Sequence, residues 1–446
     1  MQEISSKKGH LIKKVMENQD IVVSLDIGTT KIVAIVGRKN EHGKIEILGV
    51  GKTHSTGVKR GIVTNISETA DAIQIAVEKA ENASGLEITQ KVNVGIAGKH
   101  INSIQHRGIR MCDGPEDIIT QEDVDLLIND MHKLVMLPGE KIIHVLPQEY
   151  IIDGEQGITK PVGMSGVRLE ANFHIITGQE SAKNNIIRCV QKADLDVSDL
   201  VLEPLASAEA VLNSEEKEGG VALIDIGGGT TDIAIFYDNI IRHTAVIPFG
   251  GSSITEDIKE GCSILRNQAE QLKVKFGSAL SDQTQENEIV SIPGIAGADP
   301  REISVKNLSS IIQARMAEIM EYADHEIKNS GYNDKLIAGI VLTGGGSQLK
   351  HIAQLCQYVT GLSARVGYPN QFLAQGDVDA IASPLFATSV GLVIKGFESM
   401  EKVRSKGKGQ KVTGHSRKKR GSFFDSFFKT TQEFFEEKDV DNDEHK

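Results

Sequence analysis

Apolar and polar positions along this chain fall into a scheme that occurs twice. Residues 21–27 (IVVSLDI) and 31–37 are β-branched, aliphatic runs separated by a short polar gap, and a third run lies near 45–50. Ile66, Ala70, Ile73, Ala76 or Val77, and Ala80 then recur at helical spacing over about 67–83, and KVNVGIAG predicts a buried strand closing this stretch. From about 100 to 172 the pattern changes to a short alternating strand, a helix over 120–134 opened by Thr120 with Asp123 three residues on, and the extended runs KIIHVLPQEYII and GVRLEANFHIIT. This predicts a separate inserted subdomain. After Gly219-Gly220 the first scheme returns, followed by largely helical stretches over 254–276 and 304–329 with a hairpin or exposed loop between them. IAGIVLTGGG leads back into a second sheet, and PLFATSVGLVIKG forms a last helix crossing to the first. The expected fold class is α/β, two lobes of duplicated mixed-sheet architecture with an inserted extra subdomain and a ligand cleft between the lobes.

The repeat carries the chemistry. Asp26-Ile27-Gly28-Thr29-Thr30-Lys31 and Asp225-Ile226-Gly227-Gly228-Gly229-Thr230-Thr231-Asp232 each place a carboxylate and a glycine turn between two apolar runs, the pattern of a β-hairpin whose turn faces a ligand. Glycine lets successive N–H groups converge on phosphate oxygens. Thr29, Thr30, Thr230 and Thr231 add hydroxyl donors, Lys31 adds a cation, and Asp26 and Asp225 are candidates to hold Mg²⁺ through its waters. One copy alone reads equally well as a tight turn, but two matching copies point to a polyphosphate clamp. A third glycine turn, Gly344-Gly345-Gly346-Ser347, lies between a strand and a helix start, where exposed amides and absent side chains suit a nucleoside. Gly51-Lys52-Thr53 does not complete a P-loop, because Glu46 stands where that motif needs glycine.

DIGTTK, EPLASAEAVL (203–212), DIGGGTTD, LTGGGSQL and PLFATSVGLV (384–393) resemble, in order, the five signatures of the actin, Hsp70 and sugar-kinase ATPase superfamily. RHTAVIPFGG (242–251), AEQLKVKFG (269–277), IAGIVLTGGG and the amphipathic end of the chain are similar to its bacterial cell-division branch, the FtsA family. The resemblance covers roughly residues 21–397. It implies ATP and Mg²⁺ as ligands, phosphate contacts from Gly28 to Lys31 and from Gly227 to Thr231, and ribose and adenine contacts from Glu270 and Lys273 beside Gly344 to Ser347. Taken alone, Glu270 and Lys273 read as an exposed i,i+3 helix pair. Glu203 falls where catalytic relatives position a hydrolytic water, or it is simply a helix-start acid before Pro204. The resemblance leaves enzymatic turnover open, with at most slow hydrolysis.

Composition narrows the partners. The chain has 446 residues, enough for two or more domains, and a formal charge of −12 that disfavours nucleic acid. Cys112, Cys189, Cys262 and Cys356 follow no disulfide or metal spacing, so reduced thiols are expected. The N-terminal stretch is broken by Lys13, Lys14, Glu17 and Asp20 and is not a signal peptide, and no stretch is apolar enough to span a bilayer.

The expected organisation is a polar lead (1–20), a first lobe (21–99 with 173–213 and 384–397), the insertion (100–172), and a second-lobe core (214–258 with 335–383) with an outer subdomain (259–334). A basic flexible linker (398–421), an amphipathic helix (422–438) and an acidic end (439–446) follow. On that last helix Phe423, Phe424, Phe427, Phe428, Phe434 and Phe435 share one face, opposite Asp425, Lys429 and Glu433. Half-burying six rings is worth on the order of 5–9 kcal/mol less the cost of ordering the helix, which suits a reversible interfacial membrane anchor better than a protein-packed helix. The resemblance implies tethering of the FtsZ ring to the cytoplasmic face of the cell membrane at the septum, with self-association into filaments. It places the FtsZ C-terminal peptide near Arg301 and Arg315 and gives residues 100–172 to other division proteins. A small-molecule kinase or a pilus-assembly actin relative on the same scaffold is the alternative; a Hsp70-type chaperone would need a β-rich domain after residue 397.

Overall fold

A computed structural model describes residues 21–88, 91–112, 117–294, 299–374 and 381–408. The chain divides into a unit ending at Ser399 and a second one from Met400 on, of which only the end of one helix is described; the architecture below is that of the first.

The first lobe opens with β1 (Ile21–Ile27), β2 (Lys31–Lys39) and β3 (Ile45–His54), then a two-residue-strand hairpin, β4 (Val58–Lys59) and β5 (Ile62–Val63). α1 (Ile66–Ser84) follows, begun by Asn65, whose side chain accepts from the Ser67 and Glu68 amides, and ended by Gly85 at φ 68°. β6 (Lys91–Ile96) closes the stretch. The insertion comprises β7 (Asn102–Met111), α2 (Gln121–His132), β8 (Glu140–Ile152), β9 (Glu155–Ile158) and β10 (Arg168–Gln179). Thr120 and Asp123 form the expected reciprocal cap of α2. α3 (Glu180–Lys192), β11 (Asp196–Leu202) and α4 (Glu203–Val211) complete the lobe, and the short α5 (Ser214–Gly219) leads out of it.

The second lobe repeats the plan with β12 (Val221–Ile226), β13 (Thr231–Tyr237) and β14 (Ile240–Ile247). α6 (Gly251–Cys262), α7 (Arg266–Phe276), the hairpin of β15 (Ile289–Ile292) and β16 (Arg301–Ser304), and α8 (Val305–Asn329) form its outer part. β17 (Ile340–Thr343), α9 (Ile352–Thr360) and β18 (Ala364–Val366) return to the sheet, and α10 (Ala387–Lys408) ends the described chain.

The two central sheets have the same topology. Their strand orders are β11-β6-β1-β2-β3 and β14-β13-β12-β17-β18, each with two antiparallel pairings that form a meander and two parallel ones. β1 and β12 are buried along their whole length, as central strands covered on both faces must be. Each sheet has its own aliphatic core.

Four details differ from the sequence expectations. The 254–276 stretch is two helices, because Ser263 adopts a left-handed φ of 51° and stops α6. α9 starts only at Ile352, since His351 at φ 63° cannot join it. β10 is continuous through residues 172 and 173, so the insertion's sheet, ordered β7-β10-β8-β9, reaches past the expected boundary. α10 runs to Lys408, into the span expected as linker. No described helix is long and apolar enough to cross a membrane.

Two packing features position the cleft. α4 and α10 meet at Gly391, where a Cβ would lie 1.8 Å from the Ala206 carbonyl oxygen, so only glycine permits this crossing. The insertion also reaches across to the second lobe. Gln148 Nε2 donates to the Ile241 carbonyl (2.6 Å), Ser103 Oγ to that of Thr244 (3.4 Å), and His174 Nε2 lies 3.0 Å from the Thr244 hydroxyl, all along β14. Burial, with His243 nearby, holds the His174 pKa down to about 4, so the imidazole is neutral at pH 7.

Candidate functional site

Both β1–β2 and β12–β13 close through the same four-residue turn. Gly28 N–H donates to the Lys31 carbonyl at 3.0 Å and Gly227 N–H to that of Thr230 at 2.9 Å, with Ile27 paired to Ile32 and Ile226 to Thr231. The turns face and touch each other. A Cβ on Gly228 would lie 2.4 Å from Thr30 Cγ2, and one on Gly229 2.5 Å from Thr29 Oγ1. Gly61 N–H donates to that same Thr29 hydroxyl at 3.1 Å, and the amides of Gly251 and Ser252 at the start of α6 hold the Gly227 and Gly228 carbonyls at 2.9 and 2.7 Å.

Beneath the turns lies a cavity of about 380 Å³. Asp26, Gly28 to Lys31, Glu203, Asp225, Gly227 to Thr230, Glu270, Lys273 and Gly344 to Gly346 all line it, so the three glycine turns expected to share a ligand do share one space. Two of the expected residues do not line the cavity. Thr231 already belongs to β13, is fully buried, and spends its hydroxyl on the Phe249 carbonyl at 2.9 Å. Ser347 is buried with its hydroxyl on the Gly344 carbonyl at 2.8 Å. Arg301 and Arg315 lie apart from the cavity with partners of their own. Arg301 donates to the Cys262 and Ser263 carbonyls (2.8 and 2.7 Å) at the end of α6, and Arg315 pairs with Asp257 (2.6 Å) and Glu318. Phe423, Phe424, Phe427, Phe428, Phe434 and Phe435 fall outside the described residues.

The carboxylates gather at the floor. Asp26 Oδ2 takes the Lys31 ammonium at 2.6 Å and the Ser389 hydroxyl at 2.8 Å. Asp225 Oδ2 accepts from Ser207 at 2.6 Å and from Thr388 at 3.3 Å. Burial raises the Asp225 pKa, opposed by the Ser207 hydrogen bond and Lys31. Glu203 is pushed well above the usual carboxylate range by desolvation and by Asp26, Asp232 and Asp225. His144 of β8 accepts the Leu202 N–H at 3.0 Å and fixes the backbone just before it.

Sequence reasoning passed over Asp232, although it sits two residues after Thr230 and hence on the same face of the strand. It lines the cavity, accepts the Thr230 hydroxyl at 3.0 Å, and leaves Oδ1 buried without a partner. Burial and Asp225 raise its pKa to about 7. Because the folded state keeps this proton while the unfolded chain releases it, stability is lost as pH rises from about 4 to 7. Asp232→Asn should therefore melt no higher than wild type near pH 4, and progressively higher up to pH 7, with the difference constant beyond. Scanning calorimetry at stepped pH measures this, and a pH-independent difference would rule it out.

On the opposite wall Lys273 donates to the Gly251 carbonyl and to Thr255 Oγ1 (both 2.8 Å) and pairs with Glu270 at 2.7 Å. Its cation is fully engaged, leaving the Glu270 carboxylate, about half exposed, to meet ligand hydroxyls. These donor types fit a magnesium nucleotide. Hard oxygen ligands stand at the floor, glycines whose Cβ would strike the facing turn let the two hairpin turns meet, and the cavity-lining Asp232 keeps one carboxylate oxygen buried without a partner.

Comparison with known proteins gives a consistent picture. The family "Cell division protein FtsA" matches residues 222–391, and "SHS2 domain inserted in FTSA" matches 98–177. The chain is 38% identical over 401 residues to the cell division protein FtsA of Pseudomonas aeruginosa, covering 90% of this chain and 94% of that one. It is 40% identical to that of Neisseria meningitidis serogroup B, covering 85% and 91%. Among solved structures it is similar in fold to a PilM-PilN type IV pilus biogenesis complex (TM-score 0.63, 15% identity, 84% of this chain and 98% of that one). The two-lobed architecture is the actin-like one.

Proposed function

The chain belongs to the FtsA family of cell-division proteins, and from that premise we propose that it is an ATP-binding, actin-like protein that polymerises and tethers the FtsZ ring to the membrane. The observation that carries the nucleotide part is the convergence of Gly28 to Lys31 and Gly227 to Thr230 on one cavity. In this reading the turn amides, the Thr29, Thr30 and Thr230 hydroxyls and Lys31 hold phosphates, and Asp26 and Asp225 face the waters of Mg²⁺. Magnesium, when bound, neutralises phosphate charge and orients the triphosphate. Glu270 and the Gly344 to Gly346 turn take the nucleoside. The upward shift of the Glu203 pKa favours the protonated form, which cannot take a proton from water, and this accords with slow hydrolysis at most.

The protein then works as a polymer at the cytoplasmic face of the cell membrane, at the septum, held peripherally by the Phe-rich segment 422–438. Several such segments on one filament act together through effective concentration, so assembly and membrane attachment reinforce each other. The FtsZ C-terminal peptide is assigned to the outer part of the second lobe, near Arg301 and Arg315, whose internal partners an acidic peptide must compete with. The insertion serves contacts with other division proteins. Electron microscopy on a lipid monolayer tests the whole reading: filaments are expected with ATP and bare membrane without it, and nucleotide-independent images would refute the coupling.

A further inference from the structure

We infer that Thr388 and Ser389 are positioning residues that yoke the two metal-facing carboxylates, an inference that rests on the magnesium-nucleotide reading above. Asp26 ends a strand of the first-lobe sheet and Asp225 a strand of the second. Two consecutive residues in the first turn of α10 serve both. Ser389 Oγ donates to Asp26 Oδ2 at 2.8 Å and Thr388 Oγ1 to Asp225 Oδ2 at 3.3 Å. All four side chains are buried. The pair is itself fixed, because Ser24 Oγ donates to the Ser389 carbonyl at 2.9 Å and Ser207 Oγ lies 3.0 Å from Thr388 Oγ1.

The hydroxyls engage the same oxygen of each carboxylate. The Lys31 ammonium and the Ser207 hydroxyl also go to Oδ2, so the Oδ1 atoms of Asp26 and Asp225 accept no hydrogen bond from the described residues. A carboxylate rotates easily about its last bond, and a donor on one oxygen stops that rotation and presents the other. Mg²⁺ retains an octahedral water shell and tolerates little misdirection of the groups that accept from those waters. One turn of helix thus sets the aim of two ligand-facing groups from different lobes. The metal would be held well only when both lobes keep their distance from α10.

The redundancy is unequal, which makes the idea testable. Asp225 keeps Ser207 if Thr388 is altered, whereas Asp26, if Ser389 is lost, keeps only the Lys31 ammonium, which the phosphates draw on in the proposed site and which then no longer fixes the carboxylate. Titration calorimetry of the full chain with ATP, in magnesium and in EDTA, should show Ser389→Ala losing about 10- to 100-fold in affinity with the metal. In EDTA the change should stay below about twofold, since no water shell is there to misalign. Thr388→Val should lose less, and Thr388→Ser should restore it. Melting of each variant without nucleotide, within a few degrees of wild type, establishes that the fold persists. A Ser389→Ala protein with the wild-type magnesium increment overturns the yoke while leaving the nucleotide reading intact. Equal losses in both buffers overturn it too, because they mark a merely distorted site. A wild-type chain with no magnesium-dependent binding overturns both.

Discussion

Asp225→Ala will bind ATP in magnesium about a hundredfold more weakly than wild type, a loss of ~3 kcal/mol by titration calorimetry. In the proposed site the carboxylate offers a charged acceptor to the metal's waters, and hydrogen bonds to charged groups are worth roughly 1.5–3 kcal/mol each. The Ser207 hydroxyl now on Asp225 at 2.6 Å loses its acceptor in free and bound protein alike, which costs stability rather than affinity. A related pH effect follows from burial, which raises the Asp225 pKa. The ionised form is the one that serves the metal, so wild-type affinity should fall on acidification earlier than an ordinary aspartate would dictate. Wild-type affinity in Asp225→Ala would remove this residue from the site.

Truncation after Arg420 will abolish sedimentation with liposomes. The six phenylalanines lost carry on the order of 5–9 kcal/mol of apolar burial before ordering costs, and even ~4 kcal/mol corresponds to about a thousandfold in partition. The linker cations from Lys402 to Arg420 remain in the truncated chain, so any residual binding should be weak and vanish with salt. ATP affinity is expected to be unchanged, because the cavity is built from residues before Ser389. Undiminished liposome binding would remove the membrane anchor from the proposal and leave the nucleotide site standing.

Much of this architecture is legible in the sequence because apolar runs and glycine turns are local signals. IVVSLDIG and VALIDIGG each end a buried strand at a turn, and the helical periodicity of Ile66 to Ala80 matches α1 within a residue at either end. The insertion's boundary was not legible, because GVRLEANFHIIT alternates without a break and nothing local marks where one strand serves two neighbours. The fate of Thr231 was hidden for a similar reason. The second motif is longer than the first, yet the structural turns are equal, and the surplus residues join β13. Asp232 was within reach, since strand alternation from Thr230 aims it at the cavity. Thr388 and Ser389 were not, because their role depends on the helix crossing at Gly391 and Ala206, which no periodicity encodes.

β14 ends the second-lobe sheet, and its outer backbone groups would ordinarily offer a template for any passing strand. Gln148, Ser103 and His174 of the insertion occupy that border with side chains. A stranger's strand therefore finds the Ile241 and Thr244 carbonyls already taken. In the proposed polymer, copies of the chain meet at high local concentration, and this seam would close one route by which they stick together wrongly.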